Sequence, residues 1–380
     1  MKNNTIGNIR ILFFIVLASS GWVVKAQTYD STFYPTDSSA VQYFHNKFDT
    51  YSPVKLTPLD TTLMDFEAYN PLDSLYLFYA SLGNVGLAYR TLDYKPDYRV
   101  GFDYGTSAYD AYFYHQDKVK YYLNPKAYTE IGYVTGASKE QLFQARHHQR
   151  VFKRLAVGVD FSLINSLGSY QRQKSDNTKV VASAQFFSDD LRYGVIANYA
   201  NARITSRENG GIVYDSVYEQ NIETNRSIIE VNLSAAENKL KKSGVYLQQY
   251  FQLSRKDKKR PADTLEMPKE KFRLKFGRIA HSFKYNRYSQ VYTDNAPNLN
   301  YYPNVYIDSL QTHDSVFYRV MENTLSWSNA DYIDRLREQP VRLKFGNKHQ
   351  LAKVTDSVRE SSFANLIPYG EVHLSPHPFI

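Results

Sequence analysis

Apolar and polar residues alternate with a period of two along much of the chain. In AVGVDFSLI, residues 156–164, Val157, Val159, Phe161 and Leu163 oppose Gly158, Asp160 and Ser162. LRYGVIANYA (191–200) sets Leu191, Tyr193, Val195, Ala197 and Tyr199 against Arg192, Gly194, Ile196 and Asn198. LYLFYAS (75–81), DYRVGFDYG (97–105), SIIEVNLSA (227–235) and KFRLKFGR (271–278) repeat the pattern. Successive strand side chains point to opposite faces, so each stretch predicts a β-strand with one apolar face. Ser188-Asp189-Asp190 separates KVVASAQFF (179–187) from LRYGVIANYA and predicts an antiparallel hairpin. KEQLFQARHHQRVF (139–152) fits a helix or a strand bearing polar side chains.

The chemistry of the two faces shapes the expected fold. Val, Leu, Phe and Tyr fill one side, whereas Gly, Asp, Asn, Lys and Arg fill the other. Tyr98, Tyr170, Tyr193, Tyr199, Tyr285 and Tyr288 fall near expected strand ends, where an amphipathic ring suits a headgroup layer. An apolar exterior around a polar lumen has this pattern, and closure would satisfy every backbone group in lipid. The expected fold class is therefore all-β, a transmembrane antiparallel β-barrel over residues 74–380, truncated if the chain is a fragment. A soluble exported β-sandwich or jelly roll alternates in the same way and stays open as a reading. So does a repetitive β surface protein.

The first residues carry a different signal. Lys2 and Arg10 precede the apolar run ILFFIVLASSGWVV, and Val24 and Ala26 occupy the positions a signal peptidase reads. The run holds about 14 residues, short of the roughly 20 that a spanning helix needs. Residues 1–26 thus predict a cleaved secretory signal peptide. Residues 27–73, rich in Thr, Ser, Asp and Pro, predict an extended periplasmic N-terminal arm, with VQYFHNKF (41–48) able to pack elsewhere.

Composition then narrows the function. The 380 residues contain no cysteine, which excludes a disulfide scaffold and any thiolate metal site. The formal charge is +8, and +5 remains once Lys2, Arg10 and Lys25 leave with the signal. The one dense basic cluster, SRKDKKRPAD (254–263), includes Pro261 and two aspartates and reads as a solvated loop. No nucleic-acid partner is expected. The 34 tyrosines and 22 phenylalanines are an excess that the fold must account for.

The stretches YTEIGYVTGASKEQLFQARHHQ (128–149), LINSLGSYQRQKSDN (163–177) and FFSDDLRYGVIANYANARITSRENGGI (186–212) go further. Together they resemble a porin family of Bacteroidota outer membranes, with the Glu208-Asn209-Gly210-Gly211 loop the most characteristic piece. The resemblance implies an outer-membrane β-barrel for passive diffusion of small polar solutes. It also implies the cell outer membrane of a Gram-negative bacterium, contact with outer-membrane lipid and lipopolysaccharide, and insertion by the barrel-assembly machinery. The alternative is an exported soluble or surface β-sandwich, a binding or structural protein without pore activity. The resemblance covers most of residues 75–380 and is detailed over about 128–250; members of the family look longer, and here YGEVHLS reads as a strand but the tail that follows, with Pro376 and Pro378, does not end as a terminal strand.

On the barrel reading, the pore-lining candidates are Asp103, Asp160, Arg192, Asn198, Glu230, Arg273 and Lys275. The constriction-loop candidates are Arg203, Arg207 and Glu208, whose opposed charges would set a field across a narrow pore. The Gly210-Gly211 pair has a plainer reading, a chain reversal at positive φ. No catalytic residue and no metal site emerge. His147-His148 is the only histidine pair, and there is neither a G-x-S-x-G elbow nor a phosphate-binding loop. The chain is expected not to be an enzyme and to need no cofactor. Oligomeric state is not legible in the sequence.

Overall fold

A computed structural model describes residues 41–45, 56–60, 69–73, 78–94, 100–253, 277–329 and 341–374, apart from residues 106, 125, 303 and 305–307. The expected signal peptide, and Arg273 and Lys275 with most of KFRLKFGR, lie outside the described residues. So do the basic cluster at 254–263 and the tail beyond Leu374.

Ten long strands dominate. They are β6 (Tyr128–Thr135), β7 (Gln141–Phe152), β8 (Leu155–Ser166), β9 (Ser175–Phe187) and β10 (Tyr193–Arg207), followed by β11 (Glu237–Gln252), β12 (Arg278–Asp294), β13 (Thr312–Ser328), β14 (Val341–Asp356) and β15 (Glu360–Leu374). Each pairs antiparallel with its neighbour in sequence, giving one sheet in the order β15-β14-β13-β12-β11-β10-β9-β8-β7-β6. Residues 139–152, ambiguous in sequence, are strand through most of their length. The Ser188-Asp189-Asp190 hairpin forms as expected, with Leu191 at φ 55 completing the reversal.

The closed barrel is corrected by this topology. Among the described residues, β6 pairs only with β7, and β15 only with β14, so the sheet is open. The physical reason is that alternation specifies a two-faced strand, whereas closure depends on the first strand meeting the last. Nothing in a strand's own period encodes that meeting. Edge strands expose unsatisfied backbone groups, and Pro368 in the middle of β15 suits such an edge because it has no N–H to offer. Among the described residues, no helix is long and apolar enough to cross a membrane.

Two expected strands are not strands. Residues 100–105 of DYRVGFDYG form a loop turned by Gly101 and Gly105 at φ 116 and 78. SIIEVNLSA lies in the loop between β10 and β11, with a 3-10 turn at Arg226–Ile228 and one isolated bridge, Ile212 to Val231. Its alternation is real, but it buries Ile229 and Leu233 beneath the loop itself. The same loop carries a five-residue helix, Asp215–Glu219.

The described residues between 41 and 124 form a second layer. β1 (Gln42–His45) pairs with β2 (Thr57–Pro58) and with β5 (Lys120–Leu123), and β3 (Tyr79–Ser81) pairs with β4 (Tyr89–Thr91). Phe44, Val119, Tyr121 and Leu123 pack on Val181, Phe187, Ile196 and Tyr246 of the large sheet. Leu72, Val85, Tyr89, Tyr112 and Phe113 pack on Leu142, Ile164, Ile204, Leu240 and Tyr288. Phe44, Tyr112 and Tyr121 are no more than 2% exposed. Burying side chains of this kind contributes about 1.5–3 kcal/mol each. Part of the tyrosine excess goes into this interlayer core, and Tyr288, expected at a membrane boundary, is buried there.

Candidate functional site

The face of the sheet expected to line a lumen is the face that the N-terminal layer covers. β10 shows this most clearly. Gly194, Ile196, Asn198, Ala200, Ala202, Ile204 and Ser206 are all buried, while Tyr199, Arg203 and Arg207 on the opposite face are exposed.

The polar residues of the covered face are held by the backbone of the layer above. Asn198 Nδ2–H donates to the Gln116 carbonyl oxygen at 3.0 Å and to the Tyr121 hydroxyl oxygen at 2.9 Å. Gln185 Nε2–H donates to the Tyr122 carbonyl at 2.6 Å, and Asn177 Nδ2–H to the Gly86 carbonyl at 3.1 Å. The Ser175 hydroxyl donates to the Val85 carbonyl at 2.6 Å. At the far side of the sheet the direction reverses, and the Phe102 N–H donates to Gln350 Oε1 at 2.6 Å. A buried amide must find a partner, and Val85, Gly86, Gln116 and Tyr122 of the layer above supply the carbonyls.

One corner is charged. His148 Nε2–H donates to Asp160 Oδ1 at 2.8 Å, both groups being buried. The Tyr122 ring lies 4.2 Å from the His148 ring, and Asn124 Nδ2–H reaches the His148 carbonyl at 3.2 Å. A Cβ on Gly158 would collide with the His148 imidazole, so glycine there makes room for the ring. Beside this pair Arg146 Nη1 binds Glu130 Oε1 at 2.9 Å, and the Tyr128 hydroxyl donates to Glu130 Oε2 at 2.7 Å. Burial opposes the charge on Glu130, but Tyr128 and Arg146 outweigh it and hold the carboxyl below its usual range. Burial pushes the Lys179 ammonium down to about 8, and Arg146 adds to the shift. Burial drives the Tyr121 phenol well up, an effect that the Asn198 hydrogen bond partly offsets. A cleft of about 10 Å³ between the layers, lined by Tyr114, Gln116, Lys242 and Asn286 among others, has room for a single water.

The sequence-predicted site residues therefore fall into separate places. Asp160 and Asn198 are on the covered face and tied down. Arg192 belongs to the turn before β10, its guanidinium 5.3 Å from the Phe251 ring. Asp103 is exposed in a loop and accepts from the Gly105 N–H. Glu230 is exposed in the β10–β11 loop, where its carbonyl accepts from Val213. Arg203 and Arg207 lie on the outer face, but Glu208 accepts from the Tyr109 and Ser206 hydroxyls at 3.0 and 3.1 Å on the inner side. The expected constriction is thus not assembled, because the sheet stands between its charges. Gly210 and Gly211 take φ 67 and 83, the plainer chain-reversal reading of that loop. Gln116, Gln185, Ser175, Asn177 and Gln350 went unnoticed in the sequence. The available signal was neutrality, since inward amides and hydroxyls suit backbone carbonyls, whereas charge suits water.

The outer face has the opposite character. Val245, Phe251, Ile279, Leu325, Phe345 and Leu366 project from it and are at least 40% exposed. Gln249, His281, Asn323, Asn347 and His349 stand between them on the same face.

A family model described as "Putative porin" matches residues 28–369. No curated protein matches the chain.

Proposed function

The chain belongs to the family described as "Putative porin", and we propose that it serves at the outer membrane of a Gram-negative bacterium as an exported structural or binding β protein without pore activity. The observation that carries this reading is the occupied inner face. The surface that would have bounded a water-filled passage is packed with Phe44, Tyr112, Tyr121 and their neighbours and hydrogen-bonded to the layer above. The open edges at β6 and β15 support it as well, since an open sheet within hydrocarbon leaves backbone groups without partners. The passive-diffusion channel expected from the sequence is withdrawn on these grounds. No catalytic role is assigned. The His148–Asp160 pair is sealed beneath Tyr122 and Asn124 and reads as a structural hydrogen bond.

Planar-bilayer recording on the purified chain tests the reading, alongside fractionation of the expressing cells. Membrane-fraction protein that gives no discrete current steps supports it. Reproducible single-channel steps overturn it.

A further inference from the structure

Between the layers, three strands of the sheet offer a floor of small residues. Lys179, Ala202 and Lys242 stand in register across β9, β10 and β11, and the row beside them reads Val181, Ala200 and Gly244. Ala200, Ala202 and Gly244 leave the cleft that Tyr114 and Gln116 of the upper layer also line, with Asn286 of β12 beside them. Gly244 keeps it open, because a Cβ there would stand 2.6 Å from Gln116 Nε2. At about 10 Å³ the cleft admits one small particle and no more.

Two features identify that particle. Gln116 is only 4% exposed, and neither side-chain atom, Nε2 nor Oε1, has a hydrogen-bond partner. A buried amide left so is costly, and its Nε2–H lies toward Gly244 on the cleft wall. The second feature is charge. Asp110 lies 3.7 Å from Lys242 Nζ, Glu130 is bound to Arg146, and Asp160 to His148. Lys179 has no carboxylate partner among the described residues. Its ammonium sits 5.2 Å from the Tyr114 ring, and burial and Arg146 both work against its charge. A water would satisfy Gln116 but leave this cation unmatched. A monatomic anion answers both, by accepting from the amide and balancing the ammonium.

We propose that the cleft is a halide site, taken by chloride. Gln116 Nε2–H and the Lys242 ammonium contact the ion, and Lys179 adds its charge from across Ala202. The small volume excludes polyatomic anions. Such an ion ties the upper layer to β10 and β11, so halide concentration sets how firmly the inner face is covered. This goes beyond the role given above and does not depend on it.

The test is the nuclear magnetic resonance line width of chloride with the full purified chain, gluconate holding ionic strength constant. The folded chain should broaden the line, bromide should reverse the broadening, and the chain unfolded in urea should give none. Gln116→Leu should abolish the effect, and Lys179→Met should weaken chloride affinity by about tenfold or more. Arg172→Gln, on an exposed turn, should change nothing. Stability gives a second readout. The unfolding equilibrium constant should fall by up to about tenfold for each tenfold rise in chloride above its dissociation constant. In gluconate, Lys179→Met should raise the urea midpoint by removing an unmatched buried charge, and that gain should shrink in chloride. Broadening that survives Gln116→Leu marks ions on the surface and overturns the proposal. A native chain whose line width and unfolding ignore chloride overturns it too, and is the result expected of a cleft that holds only water. Should Gln116→Leu fail to fold, Lys179→Met decides, and an equal midpoint gain in chloride and gluconate overturns the proposal. Should neither variant fold, the native series in chloride and gluconate decides.

Discussion

Asn198, in the middle of the central strand β10, donates a hydrogen bond to the backbone carbonyl of Gln116 in the layer above, across 3.0 Å. The two residues are 82 apart in sequence. Their contact shows how the sheet uses its polar face, as an adhesive surface for its own chain. Asn198→Ala should lower stability by about 1–3 kcal/mol, because the Gln116 carbonyl and the Tyr121 hydroxyl lose a partner in a buried place. Urea titration followed by tyrosine fluorescence measures this.

The His148–Asp160 pair makes a second prediction. Asp160→Ala strands a buried imidazole N–H and should cost a similar amount, about 1–3 kcal/mol. Gly158→Ala should destabilise by about 1–3 kcal/mol through overpacking against the same ring. Combining Gly158→Ala with His148→Ala should recover part of that loss, which a double-mutant cycle in urea would read.

Alkaline pH should loosen the layers. Tyr112, Tyr121 and Tyr122 are almost fully buried, and burial raises each phenol above its ordinary value of 10.0. The folded state then keeps protons that the unfolded chain releases, so the contribution is full below about pH 10 and is lost above it. Each such tyrosine should remove about 1.4 kcal/mol per pH unit in that range. Lys179 acts in the opposite sense. Its ammonium lies at about 8 when folded, against 10.5 ordinarily, so the unfolded state binds more protons between those values and stability rises with pH there. Thermal midpoints measured across this range should therefore climb slightly above pH 8 and fall steeply beyond about pH 10.

The outer face predicts a stabilising change. Arg287, Arg319 and Lys353 stand abreast there on three adjacent strands, and like charges in directly opposed positions destabilise a sheet. Arg319→Gln separates Arg287 from Lys353 and should raise stability by about 0.2–1 kcal/mol. Differential scanning calorimetry at low salt would detect it, and the gain should diminish as salt rises.

Much of the two-faced sheet was legible in the residues. AVGVDFSLI and LRYGVIANYA give β8 and β10 with the correct side of each strand, and Asp160 and Asn198 do share a face. The environment of that face was not legible. Asn198 presents the same side chain to a wet lumen or to the Gln116 carbonyl, and which it meets depends on a segment some 80 residues earlier. Closure was likewise invisible, because whether the edges Tyr128–Thr135 and Glu360–Leu374 meet is a matter of pairing between strands far apart in sequence, which neither stretch encodes by itself. SIIEVNLSA misled for a local reason. Ile229 and Leu233 alternate, but they bury into a loop whose turns come from Asn225, Gly210 and Gly211. The basic residues of the outer face needed register. Arg203, Lys241, Arg287 and Arg319 are scattered along the chain and become neighbours only when four strands are aligned.

The covered inner face is the central claim, and a cysteine-free chain allows it to be tested directly with single cysteines. Asn198→Cys and Tyr199→Cys place a thiol on the two faces of the same strand, one residue apart. The folded chain would be treated with a water-soluble maleimide and the labelled fraction followed in time by mass spectrometry. The cysteine at 199 should label rapidly, and the cysteine at 198 should label only after denaturation. Equal, rapid labelling at both positions in the folded chain would mean that water fills the inner face and would contradict the account.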